Sequence, residues 1–209
     1  MTTSPCSTLG AGTGKLTRVL ARRYARVIAV EPLDNMRAIL EQVVPEAETQ
    51  AGTAEAIPLG DASVDGVFAG QAFHWFRNDD AVAEIARVLR PRGVVCAVWN
   101  RPEEPSPLPR AYRDYIAVLH EPRLKAVQEG PTLAEVLGRG PFGNLYEAEV
   151  FHEQTQDRDG VLGYASSVSW IASRPDHERE KIMHRLDELL SEGPFTFPLK
   201  TEIFWAIRR

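Results

Sequence analysis

Short apolar runs and amphipathic helical segments alternate along the first half of the chain. Arg26–Val30 is a continuous run rich in β-branched residues, as expected for a strand that is covered on both faces. Apolar residues then recur at helical spacing at Leu33, Met36, Leu40 and Val43. This pattern predicts a strand and then a helix, which Pro45 ends because proline cannot continue it.

Apolar patterns and helix-ending residues also predict the remaining elements of this half. Helices are expected over 14–23 and after Asn78 or Asp79, either of which can cap the second helix, with Pro91 and Gly93 ending it. Strands are expected over 46–51, 64–69 and 94–99. Alternating strands and helices are typical of a Rossmann-like α/β fold, a mostly parallel sheet with helices on both faces.

The pattern changes after Trp99. A proline-rich loop is predicted over 101–109, helices over 111–119, 161–171 and 176–190, and strands over 146–154 and 199–207. This arrangement predicts a helical insert before the last strands, carried as a substrate lid on one domain.

Composition limits the function classes. The chain has 209 residues, is 44% hydrophobic and 25% charged, and carries a net charge of -5, which indicates one soluble globular domain with a substantial core. An acidic chain gains little from counterion release, so no DNA or RNA partner is expected. The sequence has neither a membrane span nor a signal-peptide core, and we expect no membrane partner and a cytoplasmic protein. It carries no indication of the oligomeric state.

A glycine-rich segment opens the first predicted helix. It reads Gly10, Ala11, Gly12, Thr13 and Gly14. Glycines allow a sharp turn and the close approach of a ligand, and the helix N-terminus behind them supplies unpaired N–H groups. A tight turn without a ligand is the structural alternative.

The spacing of the glycines separates three kinds of ligand site. A phosphate-binding P-loop fails because Leu9 stands where its first glycine belongs and Leu16 follows Lys15. A dinucleotide site is weakened because its third glycine would be Lys15. The observed spacing is that of S-adenosylmethionine sites. Glu31, about twenty residues after the first glycine, ends the second strand and could accept both hydroxyls of a ribose, or cap the helix that follows.

Several motifs in succession resemble those of class I S-adenosylmethionine-dependent methyltransferases. They read LGAGTGK over 9–15, IAVEP over 28–32, GTAEAIPL over 52–59, QAFHW over 71–75 and RVLRP over 87–91. The set is most similar to the type 11, trans-aconitate-methyltransferase-like group. It implies a single domain over 1–209, with a cofactor-binding half over 1–100 and a substrate-side half over 101–209 that carries the insert.

The resemblance implies a role for each loop. The backbone of Gly10 to Gly14 would hold the methionine part of S-adenosylmethionine, and Glu31, with Pro32 in the same motif, would bind the ribose. The residues flanking the adenine would be Thr53, Ala54 and Glu55. Those beside the sulfonium would be Gln71, Ala72 and Phe73. An ordinary surface loop is the alternative for 53–55, and family members often carry Asp where this chain has Thr53.

Methyl transfer from a sulfonium needs no metal, and the protein contributes alignment and exclusion of water. A carboxylate acceptor on the small-molecule substrate needs no general base, whereas a hydroxyl acceptor is helped by one. His74 is the candidate catalytic residue for this role of general base. A packed ring that bonds a loop carbonyl is its structural alternative. Cys96 lies in an apolar run, which predicts a buried, inert thiol.

The chain departs from the family at its start. Relatives carry an acid where Thr8 stands and roughly forty further residues upstream, including a helix that helps cover the cofactor. Pro5 suits a central strand poorly because it cannot donate to a ladder. We therefore expect an N-terminally shortened member with a frayed first strand and an unusually open cofactor site. Low micromolar or tighter binding of S-adenosylmethionine would refute the open site.

Three functions follow as hypotheses. The first is an active small-molecule methyltransferase, which the complete glycine motif and Glu31 favour. The second is a non-catalytic binding protein on a degenerate methyltransferase fold, which the altered N-terminus favours. The third is a nicotinamide oxidoreductase, which only the loose spacing between the glycines and Glu31 supports.

Overall fold

The computed structural model describes the backbone of residues 2–209, and the side chains of 4–119, 130–168 and 170–209. The strands are β1 Thr2–Leu9, β2 Tyr24–Val30, β3 Glu48–Gln50, β4 Val64–Gly70, β5 Leu89–Pro102, β6 Tyr146–Gln156 and β7 Phe195–Ile207. The helices are α1 Lys15–Ala21, α2 Asp34–Val43, α3 Asp79–Val88, α4 Arg110–Glu129, α5 Leu133–Arg139, α6 Arg158–Ser167, α7 Ser169–Ala172 and α8 Asp176–Leu189. No helix in the described part of the chain is both long and apolar enough to cross a bilayer.

The strands form one seven-stranded sheet in the order β3-β2-β1-β4-β5-β7-β6. The pairs β1–β2, β1–β4, β2–β3 and β4–β5 are all parallel. The mostly parallel α/β sheet expected from the sequence is therefore confirmed. The strand order reverses between β1 and β4, and ligands of such sheets bind at the carboxyl ends of the strands beside such a reversal.

Two compact units divide the chain. The first comprises residues 1–99, 130–149 and 202–209, and the second comprises 100–129 and 150–201. In the first unit, α3 and α5 pack on one face of the sheet in a cluster that includes Ile85, Val136 and Val67. Leu20 of α1 packs on the other face against Cys6 and Val27. The first unit therefore has the helices on both faces that alternating strands and helices predict.

Helices α4, α6, α7 and α8 supply most of the core of the second unit. Its largest fully buried side chains are Ile171 and Leu186, and Tyr112 of α4 is buried with them. The same burial raises the pKa of Tyr112 to about 12, so its hydroxyl stays neutral at physiological pH.

The expected frayed first strand is wrong. β1 pairs with β2 in regular register from Pro5 to Leu9 and with β4 from Cys6 to Thr8. Pro5 sits beside an irregularity between Thr2 and Pro5, at the end of the regular ladder, where its missing N–H interrupts no inner pairing.

Two other boundaries differ from the sequence prediction. Helix α3 ends at Val88, ahead of Pro91, because Leu89 is already extended and begins β5. The helix expected over 161–171 is split at Val168, which is also extended. The hydroxyl of Ser167 donates to the Tyr164 carbonyl at 2.7 Å, a bond that competes with regular helical pairing at this break.

Candidate active site

The residues singled out by the glycine, acidic and aromatic motifs lie in loops that follow β1, β2, β3 and β4. Because these strands are parallel, the loops open at one edge of the sheet. The loops after β1 and β4 flank the reversal of strand order. The topology therefore gathers the predicted cofactor residues where an α/β sheet binds ligands.

The glycine loop adopts a backbone that other residues rarely tolerate. Gly10, Gly12 and Gly14 have φ angles of +58°, +57° and +86°. A residue with a side chain pays roughly 1–2 kcal/mol in this left-handed region. The Ala11 N–H donates to the Val30 carbonyl at 3.2 Å, and the Gly14 N–H donates to the Ala11 carbonyl at 3.0 Å. The first bond thus fastens the loop to the end of β2, and the second closes a turn over residues 11–14 that includes the half-buried Thr13.

The surroundings of the glycines differ. A Cβ on Gly10 would lie 2.8 Å from the Cβ of Ala72, in the loop after β4. A Cβ on Gly14 would lie 3.0 Å from a methyl group of Val44. At Gly12 the nearest atom to an added Cβ is the Met36 sulfur, 4.0 Å away. Gly10 and Gly14 therefore permit close packing of protein on protein, whereas Gly12 faces open space that a ligand can use.

Glu31 links the glycine loop to the turn after β2. Its side chain is buried, with 4% of its surface exposed. One carboxylate oxygen accepts the Gly12 N–H at 2.8 Å, and the other accepts the Leu33 N–H at 3.1 Å. A carboxylate has about four acceptor positions, so about two remain for other donors. The carboxylate therefore keeps capacity for two hydroxyls. The helix-cap alternative is wrong, because the N-cap of α2 is Leu33 and Glu31 bonds this residue in the turn before the helix.

Arg37 supports the backbone that carries Glu31, a role that none of the sequence motifs indicated. Its guanidinium donates to the carbonyls of Glu31 and Pro32 at 2.8 and 2.9 Å and also pairs with Asp34. The spacing of Asp34 and Arg37 on one helix face was the available signal. Pro32 itself is exposed.

The loop after β3 places its three predicted residues differently. Thr53 is exposed and forms an isolated β-bridge with Ala56, and Ala54 is buried in the core. Glu55 is exposed, and its carboxylate accepts the side-chain amide of Asn78 at 2.8 Å. Only Thr53 and Glu55 therefore present side chains outside the core.

In the loop after β4, the segment predicted beside the sulfonium, residues 71–73, is held at both ends. Gln71 has a φ of +55°, and its N–H donates to the Val98 carbonyl of β5 at 2.8 Å. Ala72 and Phe73 are buried, and the Phe73 ring packs on Phe76 with centroids 5.0 Å apart. The side chain of Phe73 belongs to the core, so only its backbone is left to line a ligand.

His74 lies in a single 3₁₀ turn over Phe73–Trp75. It is half-buried, and its ring centroid is 4.7 Å from that of Trp75, whose side chain is 45% exposed. Phe76 is buried in the core. His74 is the titratable side chain of this turn, directly after the segment expected beside the sulfonium.

Known proteins match the chain over this same region and beyond. A methyltransferase domain family matches residues 8–97. An uncharacterised methyltransferase of Mycobacterium tuberculosis is 36% identical over 186 residues, which are 89% of this chain and 73% of that protein. An uncharacterised methyltransferase of Schizosaccharomyces pombe is 33% identical over 193 residues, 92% of this chain and 76% of that protein. The chain belongs to the methyltransferase family.

The fold of this methyltransferase is also similar to that of a solved structure. The Haemonchus contortus phosphoethanolamine N-methyltransferase 2 in complex with S-adenosyl-L-methionine aligns with a TM-score of 0.55 at 14% identity. The alignment covers 99% of this chain and 49% of that one. The family assignment makes the chain an enzyme of methyl transfer and does not favour the non-catalytic alternative.

A buried pair of hydroxyls lies beside the glycine loop of the methyltransferase, at the position where the sequence resemblance leads us to expect an acid. The hydroxyls of Thr8 and Thr17 are 3.1 Å apart, and both residues are almost fully buried. Thr8 lies in β1 and Thr17 in α1, so the pair joins the two elements that flank the glycine loop. The sequence alone does not reveal that Thr17 is the partner of Thr8, because contact between a strand and the following helix depends on the turn between them.

Both cysteines of the methyltransferase are buried. Burial raises the pKa of Cys6 to about 12 and that of Cys96 to about 11. Thiols with such pKa values stay protonated near neutral pH and react poorly. The expected buried, inert Cys96 is confirmed.

Proposed function

We propose that this methyltransferase transfers a methyl group from S-adenosylmethionine to an oxygen of a small molecule, either a carboxylate or a hydroxyl. The observation that carries the proposal is the geometry of Glu31. Its carboxylate holds the Gly12 N–H and the Leu33 N–H and keeps about two acceptor positions, which matches the two hydroxyls of a ribose.

The other loops supply the rest of the donor site. The open space above Gly12 suits the methionine part of S-adenosylmethionine. A Cβ built on Gly12 would have only the Met36 sulfur near it, 4.0 Å away. Thr53 and Glu55 lie after β3, next to the end of β2, on the side of Glu31 where the adenine would extend. The backbone of Gln71 to Phe73 lies after β4 and would line the sulfonium.

S-adenosylmethionine supplies an activated methyl group whose departure leaves a neutral thioether. The protein residues need only hold the donor, orient it in line with the acceptor and exclude water. The glycine loop and Glu31 fix the donor at the sheet, and this fixed position is what a displacement reaction requires. We place the enzyme in the trans-aconitate-methyltransferase-like group on the succession of motifs over 9–91. The open site and the cytoplasmic location stay predictions.

We propose that His74 acts as general base when the acceptor is a hydroxyl. It follows the segment that would line the sulfonium, and an imidazole is the side chain that most often accepts the proton in general base catalysis. A carboxylate acceptor is already an anion and would leave His74 without this task.

A His74→Ala variant should lower turnover on hydroxyl acceptors about 100-fold, the lower end of what a general base contributes. Turnover on carboxylate acceptors should be unchanged. Methyl transfer from labelled S-adenosylmethionine to a panel of small hydroxyl and carboxylate compounds measures both. His177→Ala, at an exposed position of α8, is the matched control. Equal rates for His74→Ala and the wild type on hydroxyl acceptors would remove His74 from the mechanism.

Thermal-shift measurements test the donor class. S-adenosylmethionine and S-adenosylhomocysteine should raise the melting temperature, because a ligand that binds only the folded state stabilises it by mass action. NAD should leave it unchanged. A shift with NAD alone would favour the oxidoreductase hypothesis, and no shift with either sulfur compound would contradict the proposed function.

A further inference from the structure

Arg87 makes a network that the methyl-transfer proposal does not use. Its Nε and Nη2 donate to the two oxygens of Glu84 at 2.6 and 2.7 Å. Its Nη1 donates to the Leu59 carbonyl and to Asp61, each at 2.8 Å, and Nη2 also donates to the Ile57 carbonyl at 2.9 Å. A guanidinium has five N–H donors, so this network accounts for all of them.

Glu84 completes the attachment at the centre of the loop. Its second oxygen also accepts the Ile57 N–H at 2.9 Å. Both backbone groups of Ile57 are therefore bonded to side chains of α3, and the Ile57 side chain is buried in the core. Hydrogen bonds from Arg87 hold the pKa of Glu84 below its ordinary value, which keeps the acid ionised as an acceptor near neutral pH.

Asn78 attaches the upstream half of the loop. Its side-chain oxygen accepts the Ala81 N–H at 2.8 Å and so caps α3, while its amide nitrogen donates to Glu55 at 2.8 Å. One residue thus joins the start of α3 to a residue that the motifs place beside the adenine. Aspartate caps helices as well as asparagine but cannot donate to Glu55, so these two functions of Asn78 can be separated by substitution.

The loop has little internal structure to hold its shape. Within residues 51–63 the backbone is joined by the isolated bridge between Thr53 and Ala56 and by a bond from the Leu59 N–H to the Ile57 carbonyl at 2.8 Å. The loop begins where β3 ends beside Glu31. The Glu31 N–H donates to the Gln50 carbonyl at 3.1 Å. The conformation between these points therefore depends on α3, through Asn78, Glu84 and Arg87.

We propose that Asn78, Glu84 and Arg87 are positioning residues that hold the loop over 53–61 as the adenine-recognising wall of the donor site. This inference rests on the proposed function, because it assumes that S-adenosylmethionine binds with its ribose at Glu31. A loop held from both halves keeps Thr53 and Glu55 at fixed positions, and fixed polar groups discriminate between bases that differ in one substituent.

The test compares two ligands that differ only in the base. S-adenosylhomocysteine carries the 6-amino group of adenine, and S-inosylhomocysteine carries an oxo group in its place. Calorimetry gives the ratio of their affinities for each variant. Asn78→Asp should keep the melting temperature within a few degrees, because the cap is retained, and should lower the preference for adenine about tenfold, the worth of one hydrogen bond.

A second variant tests the attachment of the downstream half of the loop. Arg87→Lys keeps the charge but has three donors instead of five, and should also lower the preference.

The outcomes separate the two claims. Equal loss of affinity for both ligands, with the ratio intact, would limit these residues to stabilising the fold and overturn the positioning proposal. An unchanged ratio in Asn78→Asp would also overturn the proposal. A folded wild-type protein that binds neither ligand would instead contradict the proposed function.

Discussion

A Gly10→Ala variant should lose about 3 kcal/mol of unfolding free energy and should fail to bind S-adenosylhomocysteine. The substitution combines a left-handed backbone, which costs an alanine roughly 1–2 kcal/mol, with a steric overlap that costs roughly 1–3 kcal/mol in a packed site. The overlap arises because the new Cβ would lie 2.8 Å from that of Ala72. Relief would move the loops after β1 and β4 apart, and both loops line the proposed donor site.

Gly12→Ala is the matched control for the stability effect. Gly12 has nearly the same φ, +57° against +58°, but its added Cβ meets nothing closer than 4.0 Å. The Gly12→Ala variant should lose only about 1 kcal/mol of unfolding free energy, the cost of the left-handed backbone alone. Urea unfolding of both variants measures the difference. Equal losses would mean that the contact between Gly10 and Ala72 contributes nothing, and the close packing of these loops would be refuted as a requirement.

A Glu31→Gln variant should bind S-adenosylhomocysteine at least 100-fold more weakly than the wild type. Glutamine has nearly the same shape, but one of its terminal atoms donates and would face either the Gly12 or the Leu33 N–H. The ribose hydroxyls would also lose a charged acceptor. Hydrogen bonds to charged groups contribute about 1.5–3 kcal/mol each, so two such losses account for the expected factor.

Glu48→Gln serves as the control for charge removal. Glu48 pairs with Arg26 at 2.7 Å on the exposed edge of the sheet, where ion pairs contribute little. The affinity of the Glu48→Gln variant for S-adenosylhomocysteine, measured by calorimetry, should equal that of the wild type. Binding by Glu31→Gln within threefold of the wild type would remove Glu31 as the ribose acceptor and limit it to its structural bonds.

The sequence predicted the parts of the fold that depend on local pattern. The β-branched run before Glu31 and the apolar spacing of α2 each report burial of one element, and both elements form as expected. The split at Val168 was not predictable in this way, because apolar spacing continues across it. The well-paired β1 was missed because the cost of Pro5 depends on where the ladder begins, which a single strand does not reveal.

In the candidate site, too, the sequence predicted the features that depend on local pattern and missed those that depend on the folded chain. The glycine spacing and Glu31 were identified because their chemistry is carried by adjacent residues. The network of Arg87 was not identified, although its motif was noted, since its acceptors at Ile57 and Leu59 are backbone carbonyls about thirty residues earlier in the chain. Backbone acceptors carry no residue-type signal, so only the folded structure shows which side chain reaches them.

A crystal structure with S-adenosylhomocysteine bound would show directly whether Glu31 and the glycine loop hold the methyl donor. We predict both ribose hydroxyls within about 2.5–3.0 Å of the Glu31 carboxylate, the homocysteine over Gly12 and the adenine against the loop over 53–61. A ligand bound elsewhere, or a space above Gly12 that the protein's own side chains fill in the presence of saturating ligand, would contradict this prediction.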